Sequence, residues 1–138
     1  MSNFKTDALG NNAEIEKSLV QTIGASATLS NTDSGTKYLV GTDALVITLP
    51  ATKKGFEFTI INSGADGNNI ITISPAAGDA IIGSIANSAA DSVSAGVDGK
   101  DIINTKATAN KGDRITLIGD GDSGWYIVEG VGIWASEA

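Results

Sequence analysis

Over residues 112–130 the chain alternates between apolar and polar positions in two runs. In the first, Ile115 and Leu117 stand between Arg114 and Thr116, so one face is apolar and the other polar, the period of a half-buried strand. Asp120-Gly121-Asp122-Ser123-Gly124 follows, a string of residues that tolerate the positive φ of a tight reversal. In the second run Trp125 and Ile127 alternate with Tyr126 and Val128, so both faces are apolar. Such a strand suits cover on both sides, by a core and by a neighbouring chain or sheet. The two runs and their turn predict a β-hairpin.

The same period recurs upstream. Lys37-Tyr38-Leu39-Val40 is a short apolar run. Leu45, Ile47 and Leu49 alternate with Val46 and Thr48 until Pro50, which cannot donate to a ladder, closes the strand. Phe56, Phe58 and Ile60 alternate with Glu57, Thr59 and Ile61. Ile70-Ile71-Thr72-Ile73 stops at Pro75, Ala80-Ile81-Ile82-Gly83-Ser84-Ile85 is weaker, and Ser92-Val93-Ser94 and Lys100-Asp101-Ile102-Ile103-Asn104 are further candidates. Turn signals every eight to twelve residues or so mark a sandwich or barrel. The expectation is an all-β chain: an antiparallel β-sandwich or jelly-roll-like barrel of about nine or ten strands. Its expected core is Leu39, Leu45, Ile47, Leu49, Phe56, Phe58, Ile60, Ile71, Ile73, Ile115, Leu117, Trp125 and Ile127.

Residues 1–24 differ from this body. They are polar, with Ile15, Leu19 and Ile23 at a spacing of four. Asn12 suits the cap of a short helix over residues 15–19, and residues 18–23 suit a strand equally well. The preferred division is an N-terminal arm, 1–24, contacting a partner and ending in a strand, followed by a β-sandwich domain, 25–138.

Composition narrows the chemistry. Cysteine and histidine are both absent, which removes disulfides, cysteine zinc sites and the commonest general base and transition-metal ligand. The formal charge of −7 and the scattered lysines disfavour nucleic acid as a partner, because phosphate contacts need clustered Lys and Arg. No apolar run reaches membrane-spanning length, and residues 1–7 carry no signal-peptide core. The expectation is a protein made in a cytoplasm, with no membrane partner and no cofactor.

The remaining candidate sites read as structure. Asp120-Gly121-Asp122-Ser123-Gly124 fails the calcium-loop pattern, since Gly124 stands at the ligand position after Asp122 and no Glu occupies the bidentate place. Of Asp66, Asp79, Asp91, Asp98, Asp101 and Asp113, nearly every one neighbours Gly, Ser or Asn, and they suit turns better than a glycosidase pair. Ser34-Gly35, Ser63-Gly64 and Ser123-Gly124 lack the nucleophile-elbow frame. The G-x-G-x-x-G of residues 119–124 joins two strands and opens no helix. Trp125 suits the core, and Trp134 suits the end of the sandwich or a subunit contact. An enzyme is not expected.

The strings Thr36-Lys37-Tyr38-Leu39-Val40, Leu45-Val46-Ile47-Thr48-Leu49-Pro50-Ala51, Gly55-Phe56-Glu57-Phe58-Thr59-Ile60, Asn69-Ile70-Ile71-Thr72-Ile73, Asp79-Ala80-Ile81-Ile82-Gly83, Gly112-Asp113-Arg114-Ile115-Thr116-Leu117-Ile118 and Gly124-Trp125-Tyr126-Ile127-Val128, in this order, resemble the small all-β decoration (cement) proteins of tailed-phage heads. Similar strings occur in head-fibre and tail-fibre modules. The resemblance implies a homotrimer seated on the outer surface of the capsid, bound to the major capsid protein and stabilising the mature shell in the virion. No motif of the resemblance extends to the N-terminal region or the terminal strand; the expectation there is that the arm, with Phe4, Leu9, Ile15 and Leu19, touches the shell, and that Tyr126, Val128, Ile133 and Trp134 form the subunit contact, with Ile133 and Trp134 suiting the shell contact equally. The alternative the resemblance leaves open is a fibre module that binds a host surface glycan through an exposed aromatic, Tyr126 or Trp134.

Overall fold

A computed structural model of the chain describes residues 5–6, 12–14, 19–85 and 92–137, and the side chains of 19–85 and 96–137. Strand β1 (Lys5–Thr6) pairs antiparallel with β2 (Asn12–Glu14) as a small sheet of its own. The body begins with β3 (Val20–Ile23), β4 (Ala27–Thr28), β5 (Lys37–Val40), β6 (Leu45–Thr48), β7 (Glu57–Asn62) and β8 (Ile71–Ser74). It continues with β9 (Ala80–Ile85), β10 (Ser92–Ala95), β11 (Ile102–Asn104), β12 (Arg114–Gly119), β13 (Gly124–Val131) and β14 (Trp134–Ser136). The helical elements among the described residues are 3₁₀ turns at Asn31–Asp33 and Lys106–Thr108.

The body is a two-layer β structure. One sheet has seven strands in the order β10-β9-β13-β12-β7-β5-β3, the other five in the order β14-β11-β8-β6-β4. The all-β expectation holds, but both sheets are mixed where antiparallel pairing was expected. From β3 to β9 the chain changes sheet at every turn. Successive strands of one sheet are therefore second neighbours in sequence and run parallel: β3 with β5 and β5 with β7 in the larger sheet, β4 with β6 and β6 with β8 in the smaller. Parallel neighbours need a long crossover, and here a strand of the facing sheet supplies it. The first six body strands thus make three stacked rungs of a two-sheet coil. Where the chain stays in one sheet its strands pair antiparallel: β12 with β13, the expected hairpin, and β9 with β10.

Alternation sets which side chains enter the gap between the sheets. Leu45 and Ile47 of β6, Phe58 and Ile60 of β7, Ile71 and Ile73 of β8, and Ile115 and Leu117 of β12 are buried. A buried side chain of this size contributes roughly 1.5–3 kcal/mol. Leu39 corrects the expectation. It lies half-buried on the outside while Tyr38 and Val40 enter the core. The run Lys37-Tyr38-Leu39-Val40 offers apolar residues in both phases, so alternation alone does not choose one. Phe56 and Ile127 are also only half-buried, packed against the rim of the core. Phe56 precedes β7, and a bulge falls between Ile127 and Glu129, opposite Thr116 and Leu117. Tyr38, Phe58 and Trp125 form an aromatic row, with ring centroids 6.2 and 5.5 Å apart.

The strand directions sort the connections to two ends of the sandwich. Residues 29–36, 49–56, 75–79, 96–101 and 120–123 meet at one, which we call the Asp120 end. There Thr52 donates its backbone N–H to Asp79 Oδ2 at 2.8 Å and its hydroxyl to the Gly124 carbonyl at 2.6 Å. Residues 24–26, 41–44, 63–70, 105–113 and 132–133 meet at the other, the Asn62 end.

Candidate functional site

The larger sheet turns one face to the core and the other outward. The hydrogen-bonded registers order the outward residues into cross-strand rows. One row runs Thr22, Leu39, Ile61, Arg114, Val131; the next runs Val20, Lys37, Thr59, Thr116, Glu129; and a third runs Glu57, Ile118, Tyr126, Ile82. Tyr126 is 42% exposed, Val128 55% and Val131 41%, and all three belong to β13, an interior strand with β9 and β12 on its two sides. Ile82, Ile118, Ile61 and Leu39 are half-buried around them. Polar groups on this face bond to one another. Thr59 and Thr116 share a hydroxyl hydrogen bond of 2.9 Å, and Arg114 Nε donates to Glu129 Oε1 at 2.9 Å.

Charge is distributed unevenly. Among the described side chains, the only charged residues on strands of the body are Lys37, Glu57, Arg114 and Glu129, all on this outer face and summing to zero. The strands of the smaller sheet carry no charged residue. The acids of the loops gather chiefly at the Asp120 end, where Asp33, Asp79, Asp98, Asp101, Asp120, Asp122 and Glu137 outnumber Lys53, Lys54 and Lys100.

These loop acids act in turns. Asp120 Oδ1 accepts the backbone N–H groups of Asp122 at 2.8 Å and Gly124 at 2.9 Å, and its other oxygen accepts the Ser123 hydroxyl. Those donors, Gly124 first, hold its carboxyl down to about 2, because hydrogen bonds to the charged form favour it. Asp43 is also held below the usual carboxylate range, first by Lys106, whose ammonium lies 2.5 Å away, and then by the Ile70 N–H. The segment weighed as a calcium loop is thus a hairpin turn whose first carboxylate is occupied from within.

A buried polar cluster at the Asn62 end was not singled out in the sequence. Asn62 Nδ2 donates to Asn104 Oδ1 at 2.8 Å, and Asn104 Nδ2 donates to Asp113 Oδ2 and to the Ile133 carbonyl, both at 3.1 Å. Asp113 Oδ2 also accepts the Asn110 N–H at 2.9 Å. The signal was available: Asn104 stands in the core phase of Ile102-Ile103-Asn104, a polar residue where alternation calls for an apolar one. The cluster joins strand ends to the loop before β12 and uses its donors and acceptors internally, so it is a structural tie.

The residues expected to contact partners fall in different places. Phe4, Leu9 and Ile15 lie outside the described residues. Leu19 is 44% exposed just before β3, an edge strand of the larger sheet. Tyr126 and Val128 lie together on the outer face. Ile133 is half-buried in the turn between β13 and β14. Trp134 is 1% exposed, with its indole N–H donating to the Val131 carbonyl at 3.1 Å. Its ring seals the sandwich from within, which withdraws it from any surface contact. Val131, Ile82 and the Arg114–Glu129 pair belong to the same face as Tyr126 and were missed: the bulge in β13 moves Glu129 and Val131 out of simple alternation, and Ile82 joins them only through the parallel pairing of β9 with β13.

No protein-family model matches the chain, and no curated protein matches it either.

Proposed function

We propose that this chain is a decoration (cement) protein of a tailed-phage head, a structural protein with no reaction of its own. It is made in the host cytoplasm, binds the major capsid protein on the outer surface of the shell as a homotrimer, and stabilises the mature lattice. The observation that carries the reading is the partition of surface: acids in the end loops, and a neutral, partly apolar sheet face with Tyr126, Val128 and Val131 exposed at its middle. Apolar surface exposed on the interior strand of a sheet marks an interaction site. The sequence resemblance supplies the class of assembly.

The mechanism is linkage. A protein that binds the intact lattice and not the disrupted one stabilises it by RT ln(1 + [L]/Kd) per site. Three linked copies add avidity to individually weak contacts. Phe4, Leu9, Ile15 and Leu19 are assigned to the contact with the shell; of these, Leu19 is exposed just before β3, at the edge of the larger sheet. The all-β body holds together without a disulfide, having no cysteine, and so does not depend on the redox state outside a cell. Mixing the purified chain with undecorated heads and pelleting them tests the reading. The protein co-sediments at saturable stoichiometry if the reading is right; recovery of all protein in the supernatant at every salt concentration overturns it.

Tyr126 favours one second reading, a fibre module that binds a host glycan, because it is an exposed aromatic on a flat face. The burial of Trp134 removes the other aromatic considered for that role. A polysaccharide array probed with the chain and with Tyr126→Ala separates the two: glycan binding lost in the variant supports the fibre reading.

A further inference from the structure

We infer that the outer face of the seven-stranded sheet is the contact between copies of this chain, and that Arg114 and Glu129 set its register. The inference rests on the reading of the chain as a self-associating structural protein and assigns the surface and the charge pattern by which copies choose one another.

Two observations commit the face to a second copy. The first is electrostatic cost. The chain carries −7, so two copies repel, and most strongly where acids gather at the Asp120 end. The outer face is the charged-residue-bearing face of the body whose strand charges cancel, Lys37 and Arg114 against Glu57 and Glu129. Copies meeting there keep their acidic loops at the periphery. The second is the pattern. Arg114 and Glu129 stand side by side, 2.9 Å apart and both partly exposed, so every copy presents one cation and one anion. A uniformly charged partner gains from only half of such a pair. Another copy matches both: in the trimer proposed above, each Arg114 meets the next copy's Glu129 until the ring closes, the self-complementarity that symmetric assembly requires. Tyr126 and Val128 supply the apolar centre, and charges at the margin supply register and partner choice. The outer face of the smaller sheet has no charged residue and so no such device.

Sedimentation velocity of the full chain tests this. The wild type sediments at a multiple of its 14.0 kDa mass. Val128→Glu places an acid at the centre of each contact and sediments as a monomer. Because Val128 is exposed, the variant keeps the wild-type circular dichroism and melts cooperatively, its midpoint lower only by the share that association contributes to the wild type. Arg114→Glu makes the face net acidic and weakens association by about tenfold or more, the effect of one lost charge pair of about 1.4 kcal/mol. The double variant Arg114→Glu/Glu129→Arg recovers most of that loss. A wild type that is monomeric at every concentration, or a Val128→Glu variant that keeps the wild-type mass, overturns the inference. A double variant no better than Arg114→Glu overturns the assigned register. A chain that is monomeric alone and loses shell binding on Val128→Glu gives this face to the shell, which also overturns it. An oligomer that dissociates on Val128→Glu yet ignores every shell leaves the inference standing and removes the decoration reading.

Discussion

Asn104 holds a position that alternation assigns to an apolar side chain, and it is there because three elements need its amide. Its Oδ1 satisfies Asn62, and its Nδ2 satisfies Asp113 and the Ile133 carbonyl. Asn104→Ala leaves the Asn62 amide and the Ile133 carbonyl without that partner, while Asp113 keeps the Asn110 N–H, and each buried orphan costs about 1–3 kcal/mol. The expected loss is about 2–4 kcal/mol, read as a lower urea midpoint at unchanged slope. Gly124 is a different kind of constraint. Its φ is +149°, and a Cβ added there stands 2.0 Å from the Ala80 carbonyl oxygen, at the parallel contact of β13 with β9. Gly124→Ala must push the two strands apart, and a cost of about 3 kcal/mol lowers the melting midpoint by about 10 °C. At Gly112, φ is +96° and the same Cβ meets open space. Gly112→Ala therefore bears only the backbone penalty, about 1–2 kcal/mol. Comparing the two melts separates close approach from conformational freedom.

At the scale of elements, the β12–β13 hairpin was the most legible part of the sequence, because two period-2 runs flank a turn whose residues have one use. Asp120 organises that turn, and its carboxyl is held at about 2 against an ordinary 3.8. The unfolded chain therefore binds more protons than the folded one between about pH 4 and pH 2, and stability rises with pH across that window. The contribution is fully present above about pH 4 and lost as pH falls through 2. Asp120→Asn lowers the urea midpoint at pH 7, and its gap from the wild type closes as a pH series descends to 2. The rungs were not legible in the same way. Val20 faces Lys37 and Lys37 faces Thr59, while Ala27 faces Ile47 and Leu45 faces Ile71. The spacing widens from rung to rung, so no fixed period marks the repeat, and alternation is blind to whether neighbours run parallel or antiparallel. β4, β11 and β14 span only two or three residues, too short to show a period at all. The outer face was half legible. Apolar residues in both phases of β13 placed Tyr126 and Val128 on the face away from the core, whereas the Arg114–Glu129 pair emerges only once the bulge has fixed the register.

At the scale of the whole molecule, the proposed role makes stability a shared property of chain and shell. If copies bind the intact lattice and leave the disrupted one, each tenfold rise in free protein above its dissociation constant adds about 1.4 kcal/mol per site to the lattice. The temperature at which heads disrupt should then climb with the logarithm of added protein, with no upper limit set by saturation of the intact lattice until the chain itself melts. A rigid coat that merely filled gaps would instead reach a plateau at full occupancy. Oligomerisation shifts the concentration scale. A trimer that engages several capsomers at once gains up to about 10²–10⁴ in apparent affinity over a single copy, so Val128→Glu, monomeric but folded, acts only at correspondingly higher concentration, with a slope no shallower than the wild type's because separate copies replace each trimer. Calorimetry of heads across a dilution series of wild type and variant measures both quantities. A slope that persists in displaced curves shows that the face acts by joining copies, while a slope lost altogether in the variant shows that Val128 itself belongs to the contact with the shell.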